Sequence, residues 1–136
     1  MTNTNNIRLS NAADLPTVAI LMEEAFGASA QLPINPAYIA DPNIHCFVLE
    51  IDNTIVATAA LHILQKVNRK LGQIEDVVVA QSQRGKGLGK TIVTHLLQVS
   101  ADQGCYKTIL NATDENIPFY NTLGFRVEQN QLVIRH

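Results

Sequence analysis

The chain has 136 residues, 46% of them hydrophobic and 16% charged, a length and mix that suit one soluble globular domain, residues 1–136, with a real core. A net charge of −2 excludes overall attraction to nucleic acid or to an anionic membrane, so any anion site must be local. No apolar run approaches bilayer-spanning length, and residues 1–6 carry neither the basic start nor the apolar core of a signal peptide, which points to a cytoplasmic address.

Residues 1–6 are polar and uncharged and read as a disordered tail. Ile7-Arg8-Leu9 alternates as a short first strand. Asn11 followed by Asp14 has the form of a helix cap with an acid at its third position; Val18, Leu21, Met22 and Ala25 then recur at helical spacing until Gly27. Residues 28–43, with Pro33, Pro36 and Pro42, predict a loop with a short helix. His45–Ile51 and Ile55–Ile63 are apolar-rich runs separated by Asp52-Asn53-Thr54, which predicts an antiparallel pair. Lys66-Val67-Asn68-Arg69-Lys70 sets three positive charges in five residues. This is a solvated hairpin tip by default, or else a clamp for an acidic or phosphorylated acceptor.

Residues 73–80 predict a central strand carrying two adjacent carboxylates, Glu75 and Asp76, which lie on opposite faces of a regular strand unless a bulge intervenes. Lys90–Gln103 carries a helical stripe of Ile92, Leu96 and Val99, widened by Val93 and Leu97, and Gly104 stops it. Cys105–Ala112 predicts a strand. Asp114 or Asn116 caps a short helix with Pro118 in its first turn and Gly124 at its end, and Phe125–Arg135 supplies one or two closing strands. This order predicts an α+β fold, or α/β sandwich, with a mixed sheet.

Between the central strand and its helix stands Gln83-Arg84-Gly85-Lys86-Gly87-Leu88-Gly89-Lys90. Glycines allow positive φ and close approach of a ligand, because no Cβ intervenes. The first amides of a helix lack carbonyl partners, and the helix dipole adds about half a positive charge there. With Arg84, Lys86 and Lys90 around it, such a turn suits a pyrophosphate. It is not a P-loop, since the first glycine of that motif falls on Arg84, nor a dinucleotide fingerprint, since the third glycine falls on Lys90.

The loop does match Arg-x-x-Gly-x-Gly and so resembles the acetyl-CoA loop of the GNAT N-acetyltransferase superfamily. With Gln73-Ile74-Glu75-Asp76-Val77, Gly104-Cys105-Tyr106-Lys107, Asn116-Ile117-Pro118-Phe119-Tyr120 and Gly124-Phe125, it looks like the glucosamine-6-phosphate N-acetyltransferases in particular. The resemblance spans residues 72–125. It implies a GNAT fold whose central strand splays from the next one, acetyl-CoA as co-substrate, and a small primary amine, such as an amino-sugar phosphate, as acceptor.

For single residues it implies that the backbone of Val77, Val78 and Val79 holds the acetyl carbonyl and pantetheine. The diphosphate is then gripped by Arg84, Gly85, Lys86, Gly87, Leu88, Gly89 and Lys90, and Asn116 and Phe119 lie along the pantetheine arm. Glu75 and Asp76 orient or deprotonate the amine, with no choice made between them. Tyr120 is the candidate acid, because a phenol of pKa about 10 can donate to a thiolate whose acid lies near 8.5. Asn111 departs from the pattern, as an acid stands here in those enzymes, and an amide neither carries negative charge nor accepts a proton. The segment at residues 64–72 is also shorter. Arg135 matches an arginine that reaches across a homodimer to the substrate phosphate, and residues 28–43 match a segment covering the acceptor site.

Cys46 and Cys105 have no metal-ligand spacing, and His45, His62, His95 and His136 form no ligand pattern, so no metal is expected. Two further readings stand beside the first: a peptide or protein-lysine acetyltransferase, and a CoA-binding regulatory domain without catalysis, for which Asn111 is the motive.

Overall fold

A computed structural model of the chain describes residues 5–27 and 33–136. Its elements are β1 (Asn5–Leu9), α1 (Leu15–Phe26), α2 (Ala37–Ala40), β2 (Ile44–Ile51), β3 (Thr54–Gln65), β4 (Lys70–Val79), α3 (Leu88–Asp102), β5 (Cys105–Ile109) and α4 (Ile117–Thr122). A five-stranded sheet runs in the order β1-β2-β3-β4-β5, antiparallel as far as β4 and parallel between β4 and β5. This is the mixed sheet with flanking helices that the element order predicts.

Local chemistry accounts for the boundaries. The Asn11 carboxamide accepts from the Asp14 amide at 3.2 Å, and the Asp14 carboxylate accepts from the Asn11 amide at 2.8 Å, a reciprocal cap. It encloses a single 3-10 turn, Ala12–Asp14, from which α1 continues. Arg8 donates to Asp14 at 2.7 Å and also to Glu50, so β1, β2 and the helix entrance are tied together. That guanidinium holds the Asp14 carboxyl below its ordinary range. At the β2–β3 turn Asp52 and Asn53 take φ of 51° and 66° inside the Ile51↔Thr54 pair, the geometry of a two-residue hairpin with the hand of the strand twist.

The core lies between the sheet and α3, where Leu88, Ile92, Val93 and Leu96 are buried against Phe47, Leu49, Ala57, Leu61 and Ile74. Each such side chain contributes about 1.5–3 kcal/mol on burial. Alternate residues of β2 and β3, among them Cys46, Thr58, Ala60 and His62, face the other way. Helices α1 and α2 lie over that side, with Leu15, Val18 and Leu21 buried.

Several expectations are corrected. Asn5 and Asn6 belong to β1 rather than to a tail, because they pair with Ile51 and Glu50; residues 1–4 lie outside the described residues. The cover segment at 28–43 lies outside them at 28–32, and its remainder holds the short α2. Strand β5 stops at Ile109 instead of Ala112. It pairs with β4 at Lys70↔Cys105, Gly72↔Thr108 and Gln73↔Ile109, after which β4 runs on to Val79 without a partner on that side among the described residues. The pairing thus ends where the resemblance expects the strands to part. Phe125–Arg135 contains no strand, since a strand needs a bonded edge and none of the described edges takes this segment. Its apolar side chains, Val127, Leu132, Val133 and Ile134, remain exposed.

Candidate functional site

Strand β4 kinks where its two acids stand. Between the pairs Ala60↔Glu75 and Thr58↔Val78 it sets Asp76 and Val77 against Ala59 alone, and Asp76 takes φ of 55°. This is a β-bulge, and aspartate tolerates the left-handed backbone far better than the valines that follow it. The bulge meets the condition set by the sequence for Glu75 and Asp76 to serve one substrate.

Glu75, opposite Ala60, lies on the face turned away from α3 and accepts from Gln73 Nε2 at 2.5 Å. Asp76 is half-buried; burial raises its pKa, the Glu75 charge adds to this, and His62 on β3 opposes it. From α2, the Tyr38 ring stands 6.2 Å from that of His62. Burial drives the Tyr38 hydroxyl strongly upward, followed by contact with the Cys46 thiol and by the fields of Asp76 and Glu75. Two carboxylates, an imidazole, a phenol and a thiol thus meet over one face of the sheet.

Tyr38, His62 and Cys46 were not predicted for this site. Tyr38 sits in the least periodic segment, and His62 is one of four scattered histidines. The available signal was strand parity, which puts His62 on the face of Ala60.

At the end of β4 the chain makes a 3-10 turn, Gln81–Gln83, then the glycine turn. Gly85 and Gly87 take φ of 80° and 76°, and Gly87 is the N-cap of α3 with no side chain capping the helix. The opening amides of α3, at Leu88, Gly89 and Lys90, have no carbonyl one turn back to bond. A Cβ at Gly85 or Gly87 would meet nothing within 4 Å among the described residues, which leave the space above the turn open. Buried Leu88 pins the turn to the core. Arg84 Nε donates to the Val79 carbonyl at 3.3 Å and Lys86 Nζ to Gln83 at 3.0 Å, while Lys90 is exposed. The donor set and the open space suit a diphosphate.

Helix α4 closes the same region. A Cβ at Gly89 would lie 3.5 Å from the Phe119 ring and 3.8 Å from Val79, so Phe119 rests against the start of α3. Tyr120 stacks edge-on with Phe119 and Phe125, at 5.0 and 5.8 Å between ring centroids, and burial raises the pKa of its hydroxyl. Asn116 occupies the N-cap position of α4, yet its side chain makes no capping bond. The predicted residues Glu75, Asp76 and Val77–Val79, the turn Arg84–Lys90, and Asn116, Phe119 and Tyr120 therefore fall along one strand and the two helices beside its end. Asn111 is exposed just beyond β5, and Arg135 is exposed in the C-terminal segment, with no bond to the carboxylates among the described residues.

Among the described residues no group of three His, Cys, Asp or Glu could hold a metal ion, and no helix is long and apolar enough to cross a membrane.

The chain is 46% identical over 81 residues to the glucosamine 6-phosphate N-acetyltransferase of Trypanosoma brucei brucei, an overlap of 57% of this chain and 55% of that one. It spans about half the length of the curated relatives it matches. The crystal structure of a Trypanosoma brucei acetyltransferase is similar with a TM-score of 0.84 and 32% identity, covering 98% of this chain and 100% of that one. That of glucosamine-6-phosphate N-acetyltransferase from Arabidopsis thaliana has a TM-score of 0.79 and 27% identity, covering 97% and 98%. A family model described as the acetyltransferase (GNAT) family matches residues 15–125, the stretch from the first helix through the glycine turn to the end of α4. With that match over the strand, turn and helices of the site, the chain belongs to the GNAT acetyltransferase family.

Proposed function

We propose that the chain moves the acetyl group of acetyl-CoA onto the primary amine of a small molecule, with an amino-sugar phosphate such as glucosamine 6-phosphate as the favoured acceptor. The observation that carries this reading is the continuity of β4, which leads from a bulged carboxylate pair straight into the open glycine turn and α3, with Tyr120 alongside. The names of the relatives support the acceptor.

In this reading the amides of Gly85–Lys90, with Arg84, Lys86 and Lys90, grip the diphosphate. Asn116 and Phe119 flank the pantetheine arm beside the unpaired side of β4. Backbone amides of Val77–Val79 receive the developing oxyanion, the interaction that contributes most when the donors are fixed beforehand. Glu75 and Asp76 bind the ammonium form of the acceptor and accept the proton its nitrogen must lose, directly or through water. The new N–C bond forms as the C–S bond breaks, and the Tyr120 phenol, kept protonated by its burial, delivers a proton to the departing sulfur.

The same reading makes the active form a homodimer. The exposed apolar residues Leu132, Val133 and Ile134 lie in a segment without a strand partner, and β5 is an edge strand beside a cavity of about 200 Å³ lined by Leu97, Thr108, Leu123 and Phe125. A second copy fits that description and brings Arg135 toward the acceptor phosphate. Two free thiols, Cys46 and Cys105, suit a reducing cytoplasmic setting.

The test is release of free thiol from acetyl-CoA against glucosamine 6-phosphate, glucosamine, polyamines and peptides. Turnover that depends on an amino sugar is expected. Acetyl-CoA binding with no turnover on any amine would make the chain a binding domain, and labelling of peptide lysines alone would make it a peptide acetyltransferase.

A further inference from the structure

We propose that His62 is a positioning residue of the acceptor site: its imidazolium shares the Glu75–Asp76 pair with the incoming ammonium group, so that acceptor affinity falls as the imidazole takes up a proton. The inference rests on the acetyl-transfer reading and adds to it a residue that neither the motifs nor the family resemblance supplies.

Three placements converge on it. The β3–β4 register sets His62 opposite Gln73, whose carboxamide is bonded to Glu75 at 2.5 Å. Parity puts His62 on the face of Ala60, the residue paired with Glu75, and the bulge brings Asp76 to the same group. Over it lies Tyr38, 6.2 Å between ring centroids with the planes tilted by 57°, so the imidazole is covered on the α2 side and half-buried on its strand. The titratable groups around it are Glu75 and Asp76 from β4, Tyr38 from α2 and Cys46 from β2. Of these the Tyr38 phenol is held protonated by burial.

The consequence is arithmetic of charge. With the imidazole neutral, the site offers an ammonium group two carboxylates. With it protonated, one of those charges is neutralised inside the same cluster. A charge pair partly screened by solvent alters affinity by about two- to fivefold.

The experiment measures KM for glucosamine at pH 6 and pH 8 by thiol release from acetyl-CoA, for the wild-type chain, His62→Gln, His62→Lys and His95→Gln. Glucosamine carries no phosphate, and its own ionisation is common to every protein compared, so it cancels in the ratio of one variant to another. The pH 6 to pH 8 ratio of KM is expected to fall about two- to fivefold in His62→Gln relative to wild type. His62→Lys, a cation at both pH values, raises KM at pH 8. His95, which packs on Phe47 on the opposite face of the sheet, serves as the control, and its variant follows the wild-type ratio. A His62→Gln ratio equal to that of wild type, together with an unaltered KM at pH 8 in His62→Lys, overturns the inference while leaving acetyl transfer intact. A wild-type chain that acetylates no amine removes both.

Discussion

Replacing Gly72 by alanine tests how closely α3 and β5 are clamped onto β4 just before the strands part. The added methyl carbon would stand 2.3 Å from Ser100 Oγ, 3.2 Å from Leu61 Cδ1 and 3.3 Å from Ser100 Cβ. Ordinary contacts between non-bonded heavy atoms are about 3.5–4.0 Å, so the hydroxyl must retreat by about 1 Å. Ser100 has no room to do so, being fully buried on α3, and its Oγ accepts from Thr108 Oγ1 of β5 at 2.7 Å. Overpacking of this kind costs about 1–3 kcal/mol, and a lost buried hydrogen bond adds about 1 kcal/mol. Glycine to alanine at an unstrained site instead stabilises by about 0.4–1 kcal/mol, so the sign of the effect alone is informative. With roughly 4 °C per kcal/mol for a chain of this size, Tm is expected to fall by about 8–16 °C in a thermal scan. The second variant, Ser100→Ala, removes the nearest atom, and the double variant should recover about 1–2 kcal/mol of coupling in a double-mutant cycle. A Gly72→Ala chain as stable as the wild type, or a cycle with no coupling, refutes the packing argument.

Gly87→Val, at φ of 76°, costs at least about 1–2 kcal/mol of strain, while its Cβ meets no atom within 4 Å among the described residues. The fold should survive, while calorimetric titration shows acetyl-CoA affinity reduced at least about tenfold, as for a lost charge-assisted contact; unchanged affinity would move the ligand elsewhere. Tyr120→Phe should lower kcat by about 10²–10⁴, the range for general acid catalysis, with little change in acetyl-CoA binding. Equal turnover excludes the phenol from the reaction. Asp76→Asn should raise Tm at pH 7, because the raised pKa of Asp76 means that its ionised form opposes folding. That cost is full above its folded pKa and absent below the ordinary value of about 3.9, so the gain shrinks on acidification. A gain that grows as pH falls contradicts the assignment.

Much of this arrangement was readable because local chemistry and the final structure agree. Asn11 and Asp14 cap each other as their spacing predicts, Asp52-Asn53 turns the hairpin, and the glycine turn lies between strand and helix as the apolar period implies. The adjacent acids Glu75 and Asp76 pose a choice between opposite faces and a bulge, and β4 takes the bulge. What local spacing does not carry is the set of contacts made across the sheet. His62 and Tyr38 are 24 residues apart and meet only because α2 packs on β2 and β2 pairs with β3, which no short motif encodes. The extent of β5 and the fate of Phe125–Arg135 are also set by whether an edge is free to bond, and alternation alone does not supply that edge.

The extra residue in β4 also acts as a parity switch. Glu75 and Val78 are three positions apart, yet their partners Ala60 and Thr58 put them on the same side of the sheet. Deleting Val77 would restore a regular ladder in which Val78, now two positions from Glu75, still faces Thr58 and keeps its side, while Asp76 alone would turn, opposite Ala59, toward α3. The extra residue therefore decides where Asp76 points and not where the glycine turn lies: with it the two acids share a side, and without it they part to opposite faces while the turn keeps its flank.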